Sequence, residues 1–145
     1  MADLVEQLLA RPGLYVGVQT RPGDTSDEPP GVARIDVTPL PGGSGVMLAY
    51  EVLAPNGGLA HREHAVLARS STGLVLVTSH THADVTTVIA EDGPGHFPAA
   101  EGTAPFPMAV DLDVPAPGHL VYKWSYGWAD QPVALRDVGD VHAVS

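Results

Sequence analysis

The apolar residues of this chain come in many short runs, separated by clusters of glycine and proline. That pattern is one of strands and turns, so the chain reads as all-β. Its clearest instance is Leu59–Glu91, LAHREHAVLARSSTGLVLVTSHTHADVTTVIAE. Strands at Ala60–Arg69 and Gly73–His80 are expected to meet at the turn Ser70-Ser71-Thr72, with a third strand at Asp84–Ala90. Glycine (16) and proline (14) make up about a fifth of the 145 residues. They cluster between the apolar runs instead of replacing them, which argues against disorder. The length suits one domain, residues 1–145, with a real core.

The same alternation places the remaining elements. Asp3–Ala10 predicts a short helix with Asp3 as N-cap, an apolar stripe of Leu4, Val5, Leu8 and Leu9, and a stop at Arg11-Pro12-Gly13. Strands are expected at Leu14–Thr20, Val32–Leu40, Val46–Ala54, Met108–Val114 and His119–Gly127. A last strand follows Asp130-Gln131-Pro132, with Gly139 read as a bulge or bend. Asn56-Gly57 supplies the positive φ of a tight hairpin. Arg21–Gly31 reads as a polar loop, and Asp92–Pro107 as a long loop, either a lid over a cavity mouth or a plain connection. About nine strands in sequential order hide both sheet edges most simply as a closed antiparallel up-and-down barrel of eight to ten strands, wide enough for one small ligand.

Charge and composition narrow the function. Seven basic against seventeen acidic side chains give a net charge of −10 with histidine neutral, which repels phosphate backbones and anionic lipid. Without cysteine there is no disulfide, thiolate metal site or cysteine nucleophile. The first residues, MADLVEQLLARPG, lack a basic segment and carry Asp3 and Glu6 within the apolar stretch, so a signal peptide is not expected. No apolar run approaches a membrane span, and a soluble cytoplasmic protein is the expectation. No phosphate loop, nucleophile elbow or dinucleotide fingerprint is present.

Gly13–Gly17, Leu59–Glu63 with Leu74–His80, and the closing stretch His119–Val144 together resemble the nitrobindin-like and fatty-acid-binding-like barrels of the lipocalin-like, or calycin, group. Gly13-Leu14-Tyr15-Val16-Gly17 resembles a Gly-x-Trp-x-Gly opening strand. Leu59-Ala60-His61-Arg62-Glu63 followed by Leu74–His80 resembles a Leu-His-x-Glu stretch leading to a valine-rich strand and a histidine corner. HLVYKWSYGWADQPVALRDVGDVHAV is similar to a closing hairpin with a Gln-Pro turn. The resemblance implies a ten-stranded barrel with a central cavity and, in the nitrobindin-like family, a ferric haem held by a histidine just after the Gln-Pro turn. Tyr15 stands in place of the family's tryptophan, and Arg136 aligns with the haem-ligating histidine, His142 following six residues later.

Two groups of side chains are candidates for a site. Tyr122, Trp124 and Tyr126 share one strand face, with Trp128 next, and aromatic rings with polar handles suit a cavity for a flat or apolar ligand as well as they suit a core. The ligand-binding set is therefore Tyr15, Tyr122, Trp124, Tyr126, Arg136 and His142, with haem as the first cofactor to try. The second group lies on the hairpin. Four of the seven histidines sit there, and if its turn centres between Ser71 and Thr72, His61 faces His82 and Glu63 faces His80 on one side of the sheet. His61, Glu63, His80 and His82 then form a metal set of an alternative kind of protein, a small metal-dependent barrel enzyme. Arg34, Arg62 or Arg69 turned inward could bind a ligand carboxylate; on the surface they pair with acids instead. The expected protein is a binder of a small apolar or planar molecule, not an enzyme, without nucleic acid or membrane as partner and with a homodimer left open.

Overall fold

The computed structural model describes residues 2–24, 27–81, 83–100, 102, 104, 106–128 and 130–144. In order come helix α1 (Leu4–Leu9), then β1 (Gly13–Thr20), β2 (Gly31–Pro39), β3 (Gly45–Leu53), β4 (Leu59–Ser70), β5 (Gly73–His80) and β6 (Thr87–Ala90). The second half holds β7 (His96–Pro98), β8 (Met108–Ala116), β9 (His119–Trp128) and β10 (Gln131–Ala143). All neighbouring strands pair antiparallel in a single ten-stranded sheet of order β6-β5-β4-β3-β2-β1-β10-β9-β8-β7. The first and last strands therefore meet in the middle of the sheet, while its edges, β6 and β7, are consecutive in sequence. A tight turn joins those edges: the Asp92 N–H donates to the His96 carbonyl at 2.7 Å and the His96 N–H to the Gly93 carbonyl at 3.1 Å. The result is an all-β, nearly closed up-and-down barrel with a short N-terminal helix, a shape compatible with a calycin-like fold. No helix is long and apolar enough to cross a membrane.

Alternation decides which side chains enter. Along β2, Ala33, Ile35 and Val37 are buried while Arg34, Asp36 and Thr38 face out. The β4–β5 hairpin turns through Ser70, whose hydroxyl accepts the Thr72 N–H at 3.2 Å and donates to the Gly73 carbonyl at 2.7 Å. Gly73 adopts φ +134°, a conformation that a side chain would strain. The turn sets the register at Ser70 opposite Gly73 and hence Glu63 opposite His80.

Helix α1 packs against β3, β4 and β8 and closes one end of the barrel. Asp3 caps it, its carboxylate accepting the Glu6 N–H at 2.8 Å. Six residues cannot hold a helix alone, and its stability comes from burying Leu4, Val5 and Leu8 on the barrel core. Ion pairs from Arg69 to Asp3 (3.3 Å) and Glu6 (3.9 Å) are solvent-exposed and add at most about 1 kcal/mol.

Three expectations need correction. The third strand of the central hairpin begins at Thr87, not Asp84, because Ala83–Thr86 turns the chain before pairing starts. Asp92–Pro107 is not one loop: His96–Pro98 forms β7, a strand so short that Phe97 is its only buried apolar residue. Gly139 lies in regular pairing with Tyr122, and the bulges of β10 fall earlier, between Gln131 and Ala134 and between Leu135 and Asp137.

Gly17 marks the closest approach of β1 to β10. It pairs with Val141 of β10, and a Cβ there would sit 1.9 Å from the Asp140 carbonyl oxygen, so a side chain would push β1 off β10. Gly17→Ala is expected to lower stability by about 1–3 kcal/mol, against under about 0.5 kcal/mol for Val18→Ala on the exposed face. Thermal unfolding of the two variants checks this, and equal losses would contradict the close approach.

Candidate functional site: an aromatic cavity over a buried carboxyl

The barrel end opposite α1 is hollow. A cavity of about 460 Å³ opens there, walled by Tyr50 and Val52 from β3, His61 from β4, His80 from β5, and Trp124, Tyr126 and Trp128 from β9. Gln19 and Arg21 reach it from the end of β1, Asp137 from β10, and Phe106 from the segment that precedes β8. The aromatic wall follows from β9 alternation: Leu120, Tyr122, Trp124 and Tyr126 point inward, Leu120 and Tyr122 filling the core and the next two facing open space. His80 is held edge-on against Trp124, ring centroids 5.2 Å apart, with Phe106 at 6.1 Å and His61 at 5.9 Å.

Beneath the cavity lies a polar layer with no access to water. Glu63 is 1 % exposed, and its Oε2 accepts a hydrogen bond from the Tyr122 hydroxyl across the barrel. Tyr50 stacks on Tyr122 with centroids 5.3 Å apart, and Tyr122 on Trp124 at 6.5 Å. Gly139 makes room for the first ring, since a Cβ there would meet the Tyr50 hydroxyl at 2.8 Å. Such stacks contribute about 0.5–1.5 kcal/mol beyond burial. Among the described residues, Glu63 Oε1, Tyr50 Oη and Trp124 Nε1 have no hydrogen-bond partner. His61 Nε2 lies 3.8 Å from Glu63 Oε1, too far for a hydrogen bond.

Burial dominates the electrostatics of this layer. It pushes the Glu63 carboxyl above the usual carboxylate range, an effect that the nearby His61, Tyr122 and Trp124 donors oppose without reversing. Burial likewise raises Tyr122 well above the ordinary phenol value, with Glu63 adding to the rise. Tyr50 rises for the same first reason, then because Asp137 and Glu63 carry negative charge. The layer thus favours neutral forms that can donate protons in hydrogen bonds. At the mouth, Asp137 accepts a hydrogen bond from the Gln19 amide.

The structure divides the ligand-binding candidates. Trp124 and Tyr126 line the cavity, and Tyr122 lies under it. Tyr15 is buried far from the cavity, toward α1, its hydroxyl donating to the Arg11 carbonyl at 2.8 Å. Arg136 is the extra residue of a bulge, so Asp137 and not Arg136 turns inward opposite Trp124. The Arg136 guanidinium stays at the rim, 5.0 Å from the Trp128 ring centre and 5.6 Å from that of Tyr126, donating to the carbonyls of Tyr126 and Pro132. His142 is on the outer surface of β10. A haem held from the residue after the Gln-Pro turn does not fit these positions, because a bound guanidinium stands there and the next imidazole points away.

The hairpin set is partly gathered. His61, Glu63 and His80 all come to the inner face around one spot, while His82 lies outside the described residues. Among the described residues, their donor atoms do not converge as three ligands within 4.8 Å; His119, Asp140 and His142 do. Arg34 and Arg62 stand on the outer face, Arg62 near Glu51 at 3.7 Å. Arg69 continues the inward register of Ala65 and Leu67 but reaches only the barrel end, where it pairs with Asp3 of the helix cap at 3.3 Å, away from the cavity.

Tyr50, Val52, Gln19, Arg21, Phe106 and Asp137 were not foreseen as site residues. The alternation Val46-Leu48-Tyr50-Val52 and the inward series Tyr15-Gly17-Gln19 could have indicated three of them. Nothing local signals that Asp137 turns inward, because a bulge decides it. No protein-family model and no curated protein matches this chain.

The raised Glu63 pKa gives a sign-definite test. The neutral carboxyl is stable in the fold from below about pH 4.3, the unfolded value, and stability falls as pH rises through the higher folded value. Glu63→Gln keeps the shape and removes the titration. Its melting temperature relative to the parent protein is therefore expected to climb between pH 5 and pH 9. A difference that stays flat, measured by thermal unfolding at several pH values, would mean that Glu63 is not held neutral.

Proposed function

We propose that this protein binds one small, flat, largely apolar molecule in the open end of its barrel. The observation that supports this is the pairing of an aromatic-walled cavity with unpartnered polar atoms at its base. Some 460 Å³ falls within the range of small-molecule sites, which run from about 300 to 1,000 Å³. Tyr50, Phe106, Trp124, Tyr126 and Trp128 offer ring faces and edges for a planar body. Tyr50 Oη lies buried just behind the cavity wall without a partner among the described residues. A buried donor left unmade costs about 1–3 kcal/mol, so a ligand carrying a carbonyl or similar acceptor at its inner end gains by satisfying it. His61 and His80 orient the middle of the ligand, and Arg21 faces its outer end.

The chain has two tryptophans, and both line the cavity, so intrinsic fluorescence reports on this site. Titration with 1-anilinonaphthalene-8-sulfonate, a planar aromatic anion, is expected to quench that fluorescence saturably. Phe106→Ala, which removes a wall ring without touching either tryptophan, is expected to weaken binding about tenfold, equivalent to about 1.4 kcal/mol. Quenching that never saturates, or an affinity indifferent to Phe106→Ala, would refute cavity binding.

A further inference from the structure

On the outer face of the barrel, away from the cavity, two imidazoles and a carboxylate converge on one point. His119 at the start of β9 and His142 near the end of β10 are direct cross-strand partners, and Asp140 lies two residues before His142 on the same face. Regular pairing, not a loop, therefore holds all three. The two rings stack at 4.2 Å between centroids with 17° between planes. Both present Nε2 to the same oxygen: His119 lies 2.7 Å and His142 3.7 Å from Asp140 Oδ1. The three donor atoms lie within 4.8 Å of one another.

From this geometry we propose that His119, Asp140 and His142 form a surface site for a divalent transition metal ion, Zn²⁺ or Cu²⁺. Two imidazole nitrogens and one carboxylate oxygen are the donors these ions prefer, whereas Mg²⁺ and Ca²⁺ require oxygen ligands. With metal–nitrogen bonds of about 2.0–2.1 Å, the two Nε2 atoms need to stand about 3.3 Å apart for a tetrahedral ion. The adjustment falls to His142, whose side chain is 65 % exposed and free to rotate, while His119 is only 24 % exposed and held by its neighbours. An ion there takes the place of the hydrogen bond between His119 Nε2 and Asp140 Oδ1 and leaves at least one coordination position to water. A net charge of −10 favours cation binding in general. The ion also ties the beginning of β9 to the end of β10, where the Ala143 N–H already donates to the Gly118 carbonyl at 2.7 Å.

Calorimetric titration of the full chain, purified without a histidine tag, with ZnCl₂ tests the site. One equivalent is expected to bind and to raise the melting temperature in proportion to occupancy. His142→Ala is expected to weaken binding at least about tenfold, since even outer-shell losses cost that much. His80→Ala, which alters the interior imidazoles, is expected to bind as the parent does. With CuCl₂, electron paramagnetic resonance is expected to show two coordinating nitrogens, reduced to one in His142→Ala. Because His142 is exposed, the metal-free variant should melt as the parent does, which separates lost binding from lost folding. Absence of zinc binding, unchanged affinity in His142→Ala, or loss in His80→Ala instead would each overturn the proposal.

Discussion

Everything in this barrel depends on one ladder, the pairing of β1 with β10. It joins residues more than a hundred positions apart and brings the two ends of the chain into the centre of the sheet. Loop closure over that separation is entropically costly, and the interstrand hydrogen bonds and inward burial that follow must offset it. With β1 held between β2 and β10, every other strand only has to pair with its sequence neighbour. The seam then falls between β6 and β7, where a short turn makes it harmless.

Closure also explains why the interior has two halves of different chemistry. Toward α1 the inward positions are aliphatic and Leu4, Val5 and Leu8 fill the opening, so the core is dry and packed. Toward the other end the same alternation delivers Tyr50, His61, His80, Trp124 and Tyr126, too large and too polar to interlock without a gap. Between the halves sits Glu63, whose bond to Tyr122 links β4 with β9 from opposite sides of the barrel. A buried carboxyl is a poor source of net stability, and the Oε2 of Glu63 finds its partner only when Tyr122 stands opposite. Here it fixes the tyrosine stack on which the cavity rests.

Much of the fold was legible. Gly/Pro punctuation and period-two alternation located the helix and nearly every strand, and the Ser70–Gly73 turn alone set Glu63 opposite His80. What escaped were weak local signals: β7, with one buried apolar residue, and the late start of β6. The site was legible in part. Trp124 and Tyr126 follow from the alternation of β9, whereas Asp137 and Arg136 exchange faces because of a bulge that no residue pattern announces. His142, included among the ligand-binding candidates, stands outside with Asp140, because two residues of regular strand return to the same face.

By itself the amino-acid sequence determined the class of structure: short amphipathic strands, the turns between them, and the inward or outward sense of most side chains. These are local properties, written in a period of two and in the backbone preferences of glycine and proline. Only the tertiary structure decided which inward side chains meet. Tyr122 lies 59 residues from Glu63, and His119 is a strand away from Asp140 and His142. Such encounters depend on ring closure, register and bulges acting together, and no single stretch of the chain contains them.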